Sequence, residues 1–263
     1  MRNCDTTSLS IIFLACGILV GCADQSAKQN LSAGYQSLQA GQFDDALARA
    51  DAQIKAGAHA PGTAEALYLR GRTLEQRTKS DPAQGKSDLA GARDAYTQAL
   101  RLSPNQPLES YIRASLGNVA YWQDDYATAE QQWIEAYGKI PGDDVNAFIL
   151  YRIGLAQQRQ GNFTHADATF AKVQQQAPNT EAAERARSHS GYRAFTVQVA
   201  TFASPQSADA AIATLRRSGA IPTRQTNSRG QLVISIGPAS TYPQAQALKD
   251  RFASSYPDAI IVP

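Results

Sequence analysis

Cysteine is confined to the first 22 residues of this 263-residue chain, at Cys4, Cys16 and Cys22. Everything downstream can hold no disulfide and no cysteine-based metal site. Methionine occurs once, at the start, and the histidines His59, His165 and His189 stand too far apart for metal-ligand spacing. Neither sign of charge dominates: 25 basic residues face 23 acidic ones, a net of +2. That balance excludes a nucleic-acid coat and an acidic solvating tail. There is no Gly-x-Gly-x-x-Gly, no phosphate loop and no His-Glu-x-x-His, and no histidine sits beside a nucleophile in a recognisable motif. No catalytic residue, metal or cofactor is therefore expected. What the chain does have is 43% hydrophobic residues, enough to build cores. Ala and Gln are abundant in the first two-thirds, which favours helix, and the length allows one or two domains.

The longest apolar run, Ile11 to Val20, is broken only by small residues. It is shorter than the roughly 20 apolar residues needed to span a bilayer and suits the core of a signal peptide behind Arg2, although Asp5 weakens the positive leader. It ends in Leu19-Val20-Gly21-Cys22, which resembles a bacterial lipobox; Cys16, inside the run, fits less well. The resemblance implies cleavage before Cys22 and lipidation of that residue. A plain signal peptide with an incidental cysteine, or an uncleaved anchor, is the alternative. Several acyl chains at about 0.8 kcal/mol per buried CH₂ would make anchoring effectively permanent. Ala23 follows, rather than the Asp that by resemblance retains lipoproteins in the inner membrane. The expected location is the outer membrane, lipid-anchored and facing the periplasm.

Residues 30–187 repeat. Leu116-Gly117, Asp125-Tyr126, Ala129, Trp133, Ala136 and Pro141 match Ile153-Gly154, Asn162-Phe163, Ala166, Phe170, Val173 and Pro178 at a spacing of 37 residues. An earlier copy has Leu67, Gly71 and Leu74, then Ala92, Tyr96, Ala99 and Pro104, with a polar segment Thr78 to Asp88 between its helices. A first copy keeps Gly34, Leu38, Gly41-Gln42-Phe43, Ala46 and Ala50. Glycine at a helix crossing lets backbones approach, an aromatic from the second helix fills the space, and proline stops the helix. The pattern resembles the tetratricopeptide repeat (TPR), a helix-turn-helix unit of 34 residues. Asn179 to Arg187 reads as a capping helix. The resemblance implies an all-α solenoid whose groove, lined by the first helix of each repeat, holds a protein partner. Asn118, Tyr121, Gln157 and Arg113 fall on that face without defining a site. The acidic pairs Asp44-Asp45, Asp124-Asp125 and Asp143-Asp144 sit at repeat turns, where Asp caps helices.

After Ser188-His189-Ser190-Gly191 the period changes. Phe195 to Ala200 alternates as a strand does. Ser204-Pro205 opens a helix closed by Gly219. A strand follows over Ile221 to Thr226, then a turn at Asn227 to Gly230. A third strand carries Leu232, Ile234 and Ile236, a helix runs from Pro243 to Phe252, and Ala259 to Val262 closes. This β-α-β-β-α-β order is a ferredoxin-like α+β arrangement, with both helices on one face of an antiparallel sheet and the other face open. The chain thus divides into a signal peptide (1–21), a lipidated tether (22–29), the repeats (30–187), a linker (188–191) and a C-terminal domain (192–263).

Phe195-Thr196-Val197-Gln198-Val199-Ala200-Thr201-Phe202, Ser207-Ala208-Asp209-Ala210 and Ile236-Gly237-Pro238, in that order, resemble the SPOR domain. The resemblance implies binding of septal peptidoglycan whose glycan strands have lost their stem peptides. By alternation the open face holds Thr196, Gln198 and Ala200, with Gln231, Val233 and Ser235 on the third strand, and Gln198 matches a glutamine used in binding. The family pattern favours an aromatic near 231 and arginines at 233 and 235, which this chain replaces. Its basic residues, Arg193, Arg216, Arg217, Arg224, Arg229, Lys249 and Arg251, outnumber Asp209, Asp250 and Asp258, which suits the lactyl carboxylates of bare glycan. Arg224 and Arg229 are placed at the face or its rim. The expectation is a non-enzymatic periplasmic scaffold of cell division or wall remodelling that binds glycan through one domain and a protein through the other. The alternative is a TPR assembly lipoprotein of a pilus or secretion system, with the C-terminal module as a protein contact.

Overall fold

The computed structural model describes residues 10–80 and 85–263, with side chains over residues 25–78 and 85–263. The leader residues 1–9 and the side chains of Leu19 to Cys22 lie outside that set. The chain forms two compact units, one ending at Gln123 and one beginning at Asp124.

The first unit is helical: α1 (Ser10–Gln39), α2 (Phe43–Ile54), α3 (Thr63–Ser80), α4 (Gly85–Arg101) and α5 (Leu108–Trp122). Residues 22–29, expected as a tether, are part of α1. Among the described residues no helix is long and apolar enough to cross a membrane. Successive helices pack on one another through the small and branched residues of the repeat pattern. Leu31 and Leu38 meet Ala46, Ala50, Ala66 and Leu69. Leu67 and Leu74 meet Ala92, Tyr96, Ile112 and Leu116. Gly71 gives its space to the Tyr96 ring, where a Cβ would collide. The polar segment Thr78 to Asp88, expected as a long turn, is helical at both ends, because α3 runs to Ser80 and α4 starts at Gly85. Arg77 fastens the two extended ends with paired bonds of 2.8 and 2.7 Å to Asp88. The Tyr96 hydroxyl donates to the buried Glu75 carboxylate at 2.7 Å and Asn118 donates to its other oxygen at 3.2 Å, so Glu75 is satisfied and Asn118 works inside the fold. Burial, more than the neighbouring Glu75, raises the Tyr96 hydroxyl well above its usual pKa.

The second unit opens with α6 (Tyr126–Ala136), α7 (Asp143–Arg159), α8 (Phe163–Gln176) and α9 (Glu181–His189). Gly154 of α7 repeats the close approach: a Cβ there would lie 2.5 Å from the Phe170 ring. Asp125 caps α6 by accepting from the Thr128 N–H at 3.3 Å. Asp44, Asp45, Asp143 and Asp144 lie instead in the first turns of α2 and α7, where the helix dipole favours a carboxylate. Thr180 caps α9, and Gln157 is engaged with Glu130 and Thr169.

The sheet follows: β1 (Phe195–Phe202), α10 (Pro205–Arg217), β2 (Pro222–Thr226), β3 (Leu232–Ala239), α11 (Tyr242–Phe252) and β4 (Ile260–Val262). Its order is β2-β3-β1-β4, antiparallel throughout. Ser204 caps α10, and Thr241 with Gln244 forms a capping box on α11. Val197, Val199, Ile234 and Ile236 pack on Ala208 and Leu215 of α10 and on Ala245 and Phe252 of α11.

Phe163, at the start of α8, belongs to this same core. Its ring lies 5.4 Å from that of Phe195. Gly161, in the left-handed region at φ +86°, brings the α7–α8 turn so close to Ser240 that a Cβ would stand 2.6 Å from that carbonyl oxygen. The segment 188–191 is fastened on both sides. Gln158 donates to the His189 carbonyl at 2.8 Å, the Gly191 N–H donates to Asp167 at 2.8 Å, and Arg193 pairs with Asp167 at 2.6 Å. The sheet and helices α6–α9 are therefore one packed unit.

Candidate binding face

Paired residues in an antiparallel sheet share a face, so the register sorts every side chain. Val197 opposes Ile236 and Ile261 on the helix-covered side. Gln198 opposes Ser235 and Ile260 on the open side, and Thr196 opposes Val262 there. Gln198, Thr196, Val233 and Ser235 therefore lie together on the open face.

Strict alternation would add Ala200, and the structure corrects that expectation. The register shifts between Gln198 and Ala200, so that Ala200 pairs with Ile234 and Thr201 with Val233. This bulge turns Ala200 toward the helices and brings Thr201 to the open face. The Gln198 carboxamide donates to the Thr201 hydroxyl at 3.3 Å, which requires both on one side. A signal was present in the sequence: Phe195, Val197 and Val199 occupy odd positions, but the next large apolar residue is Phe202, which packs with Leu232 against the core.

Arg224 is also corrected. It opposes Ile234, so it belongs to the helix-covered side, where it pairs with Asp209 of α10 at 2.8 Å. Its neighbours Thr223 and Gln225, which alternation alone did not select, oppose Ser235 and Val233 and are exposed on the open face. β2 has no apolar alternation to reveal its orientation. Ile221, expected as its first residue, precedes it and is 72% exposed. Gln231 stands just before β3, and its side-chain oxygen accepts from Asn227 at 3.0 Å. Arg229 occupies the tip of the β2–β3 turn, exposed, its backbone N–H bonded to Asn227. Of the other basic residues, Arg193 pairs with Asp167 and Arg251 donates to the Ser218 carbonyl.

Among the described residues no group of three His, Cys, Asp or Glu could hold a metal ion. The face offers hydroxyls, carboxamides and short apolar side chains on a rigid sheet. That is a surface for hydrogen-bonding and covering a ligand. Residues 191–263 match the family described as the SPOR domain, and this part of the chain is a SPOR domain, which implies peptidoglycan binding. The helical part repeats a close glycine–aromatic crossing, Gly71 with Tyr96 and Gly154 with Phe170. The chain is similar to a thermophilic TPR protein of Thermus thermophilus, at 20% identity, over 62% of this chain and 98% of that one, with a TM-score of 0.35. No curated protein matches the chain.

Proposed function

We propose that this protein is an outer-membrane lipoprotein facing the periplasm, anchored through Cys22, whose SPOR domain binds glycan strands stripped of stem peptides. Its TPR-like helices hold a protein partner, in cell division or wall remodelling. The observation that carries the glycan reading is the open sheet face. Gln198, Thr201, Ser235, Thr223 and Gln225 form a continuous polar strip across β1, β3 and β2, with no helix over it among the described residues. Thr196 and Val233 complete the face. Gln231 and Arg229 stand at its rim, and Arg224 supports it from behind. Lacking aromatic and arginine side chains at 231, 233 and 235, this surface relies on hydroxyl and carboxamide bonds, each worth about 0.5–1.5 kcal/mol net. The anchor rests on Leu19-Val20-Gly21-Cys22.

The test is co-sedimentation of the full-length protein with purified sacculi, before and after amidase digestion. Digestion is expected to increase binding, and Gln198→Ala to reduce it at least fivefold. If amidase-treated sacculi leave the protein in the supernatant, the module is not a glycan receptor. Radiolabelled palmitate incorporation, lost in Cys22→Ala, checks the anchor.

A further inference from the structure

The open face runs into a groove that begins at Gln198. β4 pairs with β1 at Thr196, Val197 and Gln198, while β1 continues to Phe202. From Val199 onward the outer edge of β1 has no strand beside it among the described residues. The chain entering β4 swings away from that edge through Ser255 to Asp258. Between them lies a cavity of about 380 Å³, walled by Gln198 to Thr201 on one side and by Tyr256 and Asp258 on the other. Small-ligand sites occupy about 300–1,000 Å³.

The lining selects among ligands. A strand edge without a neighbour presents main-chain N–H and C=O groups that need partners. The Gln198–Thr201 bond, at 3.3 Å, is long for a hydrogen bond and is readily exchanged for bonds to a ligand. Tyr256, half-buried, offers a ring edge and a hydroxyl. Asp258 is the one charged side chain in the lining, with no cation among the lining residues to oppose it, so an acidic group is repelled there. What matches is an uncharged polyol bearing an amide. Its amide can pair with the strand edge as a neighbouring strand would, and its hydroxyls can reach Gln198, Thr201 and Asp258.

The geometry points to a subsite for N-acetylglucosamine, the uncharged N-acetylated sugar of the glycan, with the acidic lactyl-bearing sugar held outside it. This rests on the glycan reading above and adds which sugar enters and where.

The test uses the isotope-labelled full-length protein titrated with N-acetylglucosamine tetramer, with its deacetylated counterpart, and with the stem tripeptide L-alanyl-D-glutamyl-diaminopimelate. The acetylated tetramer is expected to shift the amides of residues 198–201 and 255–260. Thr201→Val and Asp258→Ala are each expected to weaken it at least fivefold, and deacetylation at least tenfold. If the deacetylated tetramer binds as tightly, the amide argument is overturned. Denuded sacculi that still bind while the acetylated tetramer leaves these amides unmoved would overturn the subsite and keep the glycan reading. Shifts from the tripeptide alone would make the groove a peptide site. If neither sacculi nor tetramer binds, both readings fall.

Discussion

The guanidinium of Arg159, the last residue of α7, lies 3.4 Å from the centre of the Tyr242 ring, the first residue of α11. Tyr242 in turn meets Phe195 edge-on at 5.8 Å and Tyr126 at 6.0 Å. A helix of the repeat region and a helix of the SPOR domain thus share one cation–π contact. Arg159→Ala should lower the stability of the second unit by about 1–2 kcal/mol, in line with a partly desolvated cation over a ring. Arg159→Lys should recover part of it. Urea unfolding of the full chain checks this.

Phe163 extends the same contact into the core. Phe163→Ala should cost about 3–5 kcal/mol, as for other buried aromatics. The decisive measurement is hydrogen exchange at Phe195 and Ala239, which should quicken although the substitution lies in the repeat region. Unchanged exchange there would mean that the SPOR domain is merely tethered.

Gly154→Ala places a methyl group 2.5 Å from the Phe170 ring. Overpacking of this kind typically costs about 1–3 kcal/mol. Adding Phe170→Leu, which withdraws the ring, should recover part of the loss, and a double-mutant cycle on Tm reads the coupling.

Arg224 and Asp209 are both substantially exposed, and such pairs contribute about 0–1 kcal/mol. Arg224→Ala should change stability by less than that and leave sacculus binding within twofold. A loss of binding as large as that of Gln198→Ala would place Arg224 in the ligand contact after all.

His189 is held below its usual pKa of 6.5, first by burial and then by Arg159 and Arg185. Its ring packs near Tyr151 and Phe170, and Nδ1 faces Gln158 at 3.2 Å. A depressed histidine contributes stability that is complete above pH 6.5 and is lost as pH falls from there through the folded-state value, because the unfolded chain takes the proton first. Urea midpoints should therefore decline below pH 6.5, and His189→Gln should flatten that slope.

Much of this architecture is local and was legible. Ser204 announces its helix as a cap, and the glycine–aromatic pairs Gly71–Tyr96 and Gly154–Phe170 follow from their spacing. Gln198 and Ser235 fall on one face by simple alternation. Thr201, Thr223 and Gln225 did not emerge, since a bulge in β1 and an all-polar β2 leave the period-two rule without a reference. Tyr256 and Asp258 sit in a connection whose course no periodicity describes.

Sequence alone determined the helical hairpins, the β-α-β-β-α-β order and the open face, because these depend on neighbours within a few residues. The tertiary structure decided which side Ala200 and Arg224 occupy, for strand register is set by partners 34 residues away at Ile234 and 10 residues away at the same isoleucine. It also decided that Phe163, four residues beyond Arg159 in the repeats, completes the core of the SPOR domain. A buried aromatic looks the same in sequence whichever core it joins; only the packing of Phe195 and Tyr242 around it assigns its place.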